Sequence, residues 1–212
     1  MLITNPSSWT AWSTLALDAT PHLPGCPAFL IEEQIALAGR EFFVQSTIWR
    51  SLQITLLTTV AGQAAYALTP PTNGELSRVH TAWNGSDEVA VEIGGQTEDY
   101  EPGSTDTEYV IGARAENTLF LSPAPTDAGV VLKGVVSYVP TAGGAGIPTS
   151  AYTRWRHGIA SWAAAQLVIQ AGKPWSNPGN RSALMARFSD AVHEASFEAG
   201  PVRRRGLRVR PV

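Results

Sequence analysis

His22 and Cys26 stand four residues apart in "HLPGC", which brings the chain's single thiol close in sequence to an imidazole. Such a pair could supply a nucleophile and its base. The proline and glycine between them make a rigid loop, however, and no acid stands ready to orient the histidine. Cys26 is better read as part of a helix cap. His80, His157 and His193 are scattered, and no two of them share the i, i+4 spacing that puts two imidazoles on one helix face for a metal. The glycines of "AGGAG" (142–146) lack the lysine and hydroxyl residue of a phosphate-cradling loop, so they read as a linker. Asp99 and Glu101 could form a pair of glycosidase-like carboxylates, but sequence does not supply the several-ångström separation such chemistry needs. A solvated acidic face is the simpler account. No catalytic residue, cofactor site or metal site is expected, and the chain is expected not to be an enzyme.

The charged residues carry a stronger signal. The chain has 212 residues and a formal net charge of -3, yet "GPVRRRGLRVRPV" places five arginines within residues 203–210. With those five set aside, ten basic residues face 18 acidic ones, so residues 1–200 carry a formal -8. Between Arg78 and Arg114 there is no lysine or arginine, while Asp87, Glu88, Glu92, Glu98, Asp99, Glu101, Asp106 and Glu108 all fall there. This stretch is expected to form an acidic lobe. In "LRVRPV" the alternation puts Leu207, Val209 and Pro211 on one side of an extended strand and Arg208 and Arg210 on the other. A pure phosphate-binding arm would not need the apolar set; a peptide that adds to a sheet or lies in a groove would.

These residues must be carried by a folded body. The 44% hydrophobic and 16% charged content describe a globular chain, and one cysteine excludes an internal disulfide. No secretory signal is expected at "MLITNPSSWT", and no apolar run approaches the roughly 20 residues that span a bilayer. A cytoplasmic protein without a membrane partner is expected. The pattern predicts helices over 7–19, capped by Ser7 or Ser8, and over 27–47, entered through Pro27 with Ile31, Ile35, Ala38 and Phe42 on one face. Further helices are predicted over 150–171, capped by Thr149 or Ser150, and over 178–198, stopped by Gly200 and Pro201. From Ser51 the runs "LQITLLTTV", "AAYAL", "LSRVHTAW", "EVAVEI", "EYVIGA", "TLFLS" and "VVLKGVVSYVP" read as strands, with a hairpin turn at "NGSD". "TAGGAGIPTS" reads as a flexible connector back to helix. The expected fold is α+β: a three-helix or four-helix bundle (residues 1–50 and 141–200), an inserted antiparallel β module (51–140) and an extended C-terminal tail (201–212).

"LPGCPAFLIEEQIALAGREFFVQSTIWR", "VAGQAAYAL", "VSYVPT", "IP", "RWRHGIASWAAAQLVIQAGKPWSNPGN" and "FSDAVHEA" follow one another in an order that resembles the bacteriophage head-to-tail adaptor (connector) proteins. The most telling pieces are the "PGCP" helix entry, the end of the 27–47 helix and the "GKPWSNP" turn. The resemblance covers residues 22–200; "SSWTAWSTLAL" has no counterpart in it. It implies a virion structural protein at the head–tail junction, assembled in the host bacterial cytoplasm as a homo-oligomeric, usually dodecameric, ring between the portal protein and a tail nozzle or tail-tube protein. It also implies that Arg203, Arg204, Arg205, Leu207, Arg208, Val209 and Arg210 dock on the portal, the arginines pairing with carboxylates. The acidic lobe would face the tail or line the channel, where it would repel DNA passing as cargo. Two other classes fit less well. A DNA-binding virion protein using the basic segment is opposed by the acidic body, and a virion-associated cell-wall hydrolase is demanded by no motif.

Overall fold

A computed structural model of the protein describes residues 2–91, 109–114, 117–141 and 143–200. In chain order its elements are β1 (Trp9–Thr10), α1 (Trp12–Ala19), α2 (Ala28–Ser46), β2 (Ile54–Thr58), β3 (Ala65–Ala67), β4 (Gly74–Asn84), β5 (Asp87–Val91), β6 (Val110–Arg114), β7 (Thr118–Ser122), β8 (Val131–Pro140), β9 (Ile147–Pro148), α3 (Thr149–Leu167) and α4 (Arg181–Ala199). They divide into a helical unit (Met1–Trp49, Pro71–Glu75, Tyr138–Ala199) and a sheet unit (Arg50–Pro70, Leu76–Ser137, Gly200–Val212).

In the helical unit, Pro27 lies in the extended conformation before α2, and its carbonyl accepts the N–H groups of Leu30 and Ile31 at 3.1 and 3.3 Å. Proline suits this place because the first turn of a helix has no use for its missing N–H. Ile31, Ile35, Ala38 and Phe42 are buried, as their spacing requires. At the other end Thr47 takes a left-handed backbone, φ 49°, and returns its N–H to Phe43 at 3.0 Å. The core gathers around Trp49, whose ring centroid lies 5.5 Å from Trp9, 6.0 Å from Phe43 and 5.7 Å from Tyr138. Gly74 makes room for it: a Cβ there would stand 2.8 Å from Trp49 Cη2. Arg40 of α2 donates to Glu75 at 2.8 Å and to the carbonyl of Pro140, fixing the helix to the ends of β4 and β8 that belong to this unit.

Helices α3 and α4 meet through small residues. Ala151, Gly158, Ala160, Ala163 and Ala164 are buried on α3, and Ala191 and Ala195 on α4. Gly158 lies so close to Ala191 that a Cβ added to it would penetrate the Ala191 methyl. Neither α1 nor α3 uses its expected hydroxyl cap. Helix α1 begins behind Ala11, because Trp9 and Thr10 are drawn into a ladder with Ile147 and Pro148, and α3 begins behind Pro148. That ladder also revises the flexible connector. The stretch is held by β1–β9 pairing, by Trp12 Nε1 donating to Gly144 at 3.1 Å and by Thr10 Oγ1 donating to Thr149 Oγ1 at 3.2 Å.

The sheet unit holds seven strands in the order β2-β8-β4-β5-β6-β7-β3, a nearly closed mixed sheet. Its core is built from Leu56, Leu57, Leu76, Val79, Trp83, Ile111, Leu119, Leu121, Leu132 and Val136. The "NGSD" turn joins β4 to β5, with Gly85 at φ 61° and Trp83 opposite Glu88. Asn117 binds three strands: its carbonyl accepts Leu68 N–H at 2.9 Å, its side-chain oxygen accepts Leu76 N–H at 2.7 Å, and it precedes β7 at φ 59°.

The expected bundle with an inserted antiparallel β module does not hold. The fold is α+β, but it is organised around the seven-stranded sheet, with four helices among the described residues. Strands β5 and β6 run parallel, with Ala90 opposite Val110 and Val91 opposite Ile111. A parallel pair needs a long connection instead of a tight turn, and 18 residues separate Val91 from Val110 in the sequence. The helical unit is also not purely helical, since Trp49, Gly74 and Tyr138 bring strand ends and their flanks into its core.

Candidate functional site

The chain's arginine-rich segment begins at Gly200, and the site is built around that point. Helix α4 ends at Ala199, and Gly200 turns the backbone at φ 67°, a conformation that costs glycine nothing. Its carbonyl accepts a hydrogen bond from Arg50 Nη1 at 3.0 Å. Arg50 is only 8% exposed and lies just before β2, where it bridges Ser137 of β8. Burial first, and then the like charge of Arg78, lower its pKa from the ordinary arginine value. His80 shares a face of β4 with Arg78, two residues along the strand. Burial, and after it Arg50 and Arg78, push the His80 pKa down to about 4. Its Nε2 is enclosed and takes no hydrogen bond. The root of the segment is therefore a cationic corner in which a neutral imidazole stands beside guanidinium groups at neutral pH.

Nothing in the sequence marked this corner. Arg50 closes "STIWR" and Gly200 stops a helix 150 residues later, so the contact that joins them is entirely non-local. Only the i, i+2 spacing of Arg78 and His80 on a strand was legible.

The proposed docking residues Arg203, Arg204, Arg205, Leu207, Arg208, Val209 and Arg210 lie outside the described residues. So do Glu92, Glu98, Asp99, Glu101, Asp106 and Glu108 of the acidic lobe. Asp87 and Glu88 are described: both are exposed at the start of β5, next to the turn.

Asp99 and Glu101, weighed as a carboxylate pair, lie outside the described residues, and His22 and Cys26 are not tuned as base and nucleophile. Burial raises the pKa of the Cys26 thiol, the reverse of what activates a nucleophile. His22 is shifted down by burial and then by Arg187. His157 Nδ1 lies 3.8 Å from Asp18 Oδ1, and Arg156 Nε lies 3.9 Å from the same oxygen, a surface ion-pair group on α3 and α1. His193 is exposed on α4. Among the described residues no group of three or more His, Cys, Asp and Glu could hold a metal ion, and no helix is long and apolar enough to cross a membrane.

Large apolar side chains stand in water on both units. Leu17, Phe29, Leu37, Ile169 and Phe197 are exposed on the helical unit, Phe197 to 84%, and Leu52, Val60 and Val131 on the sheet unit. Exposed side chains of this kind mark an interface where they join in one contiguous patch, and are ordinary where they stand singly. Over residues 11–210 the chain matches the family described as SU10 adaptor protein. No curated protein matches it.

Proposed function

The chain belongs to the SU10 adaptor protein family, phage structural adaptors of the virion, and on that premise we propose that it forms a ring between portal and tail, with a channel for DNA. The ring is a homo-oligomer, a dodecamer, whose subunits bury the exposed Leu17, Phe29, Leu37, Ile169 and Phe197 against one another. The C-terminal segment docks on the portal: Arg203, Arg204, Arg205, Arg208 and Arg210 pair with its carboxylates, while Leu207 and Val209 enter a groove between them. Residues 51–140 are offered to the tail nozzle or tail tube. The acidic residues from Asp87 to Glu108 face the tail or line the channel, where they keep passing DNA from adhering. DNA is cargo in this scheme.

The observation that carries the proposal is the family match across residues 11–210, nearly the whole chain. The charge distribution supports the role given to the arginines, because a body of formal -8 would repel a phosphate backbone that the same segment was meant to hold. The test is charge reversal. A chain with all five arginines of 203–210 changed to glutamate should lose binding to isolated portal protein, and wild-type binding should weaken as salt rises. Equal binding by the reversed chain would rule out arginine-to-carboxylate docking.

A further inference from the structure

Two helices of the helical unit begin at the same end with opposite charge. The loops that precede them touch, since a Cβ added to Gly25, before α2, would stand 3.6 Å from the Cβ of Pro174, before α4. From Ala28 to Gly39, α2 carries Glu32 and Glu33 and no lysine or arginine. From Arg181 to Ser189, α4 carries Arg181 and Arg187 and no aspartate or glutamate. All four side chains are exposed, and none of them is paired with an opposite charge among the described residues. Arg181 opens its helix, where the macrodipole favours an acid. Helix stability therefore does not account for it.

The residues between these charges are complementary in size. At 3.6 residues per turn, Glu32 and Glu33 fall on either side of Phe29, whose ring is 68% exposed in the first turn of α2. On α4 the same spacing puts Ala183 and Ala186, both exposed, between Arg181 and Arg187. One helix start is a knob flanked by acids. The other is a shallow floor flanked by bases.

We propose that the start of α2 in one copy seats on the start of α4 in the next copy, Phe29 on the alanine floor and the two glutamates against the two arginines. The two surfaces differ, so each copy offers one and accepts the other. Such a heterologous contact generates a ring when its rotation closes and a filament when it does not. Because both surfaces stand at the same end of the unit, successive copies climb little along the axis, which favours closure. The inference rests on the ring reading and names the faces that meet in it.

Sedimentation velocity of the full chain at low salt tests it. Glu32→Lys with Glu33→Lys sets cation against cation at every contact, and Arg181→Glu with Arg187→Glu sets acid against acid. Each pair should lower the self-association constant by on the order of tenfold, less at high salt, while the melting temperature stays near wild type because all four sites are exposed. Phe29→Ser, which removes the knob and no charge, should weaken association severalfold. The two charge variants mixed in equal amounts should associate as wild type does, because in an alternating ring every contact again joins opposite charges. A chain carrying all four changes should associate with itself and not with wild type. A mixture that associates no better than its parts overturns the inference. Wild-type oligomers that neither reversal weakens overturn this contact and leave the ring reading standing. A wild-type chain that remains monomeric, both alone and on portal-bearing heads, sinks the ring reading and this contact with it.

Discussion

Replacing Gly158 with alanine sets two known effects against each other. Alanine in a helix interior is favoured over glycine by about 1 kcal/mol, so an isolated α3 would be strengthened. In the protein the added methyl meets the Ala191 methyl well inside contact distance and stands 3.3 Å from the Arg187 carbonyl, with backbone on the facing helix unable to fold aside. Overpacking of this kind costs about 1–3 kcal/mol, so Gly158→Ala should destabilise the protein by about 1 kcal/mol net. Ala191→Gly alone should cost about 1 kcal/mol through propensity. In the double variant the propensities cancel and the methyl is merely moved to the other helix, so stability should return to within about 0.5 kcal/mol of wild type. Urea unfolding followed by helical circular dichroism reads all four members of the cycle. A Gly158→Ala midpoint at or above wild type, or a double variant as unstable as the two losses summed, would refute the close α3–α4 contact.

His80 makes stability depend on pH. Its folded pKa of about 4 lies below its ordinary value of 6.5, so between those values the unfolded chain binds a proton that the folded chain refuses. The contribution is intact above pH 6.5, falls as pH drops toward 4 and changes no further below it. Allowing for water around a half-buried ring, the loss is on the order of 2 kcal/mol, and His80→Gln should flatten this part of a urea-midpoint curve; an unchanged slope would count against the cationic corner. Trp49 is fully buried among Trp9, Phe43 and Tyr138. Trp49→Ala should cost about 3–5 kcal/mol and lower the melting temperature strongly, while Leu52→Ala, at an exposed site, should change it little.

Local signals were legible where they decide local structure. Pro27 opens α2 and Gly200 ends α4, and the apolar stripe of α2 is buried as its period requires, because helix ends and a 3.6-residue repeat act within a few turns. The runs from "LQITLLTTV" to "VVLKGVVSYVP" correspond to β2–β8 for the same reason. Alternation identifies a strand but not its neighbour. Nothing near "EVAVEI" shows that β5 lies parallel to β6, and nothing in "AGGAGIP" shows that Ile147 will pair with Thr10 and shorten α1 from its expected start. The site divides the same way. The arginines and their alternation are visible in sequence, whereas the grip of Arg50 on Gly200 depends on a contact across 150 residues.

Cosedimentation with portal-bearing, tail-less heads tests the central claim most directly. Purified full-length chain should sediment with the heads, and a chain lacking residues 201–212 should remain in the supernatant. Equal sedimentation of the two would contradict portal docking through the C-terminal segment.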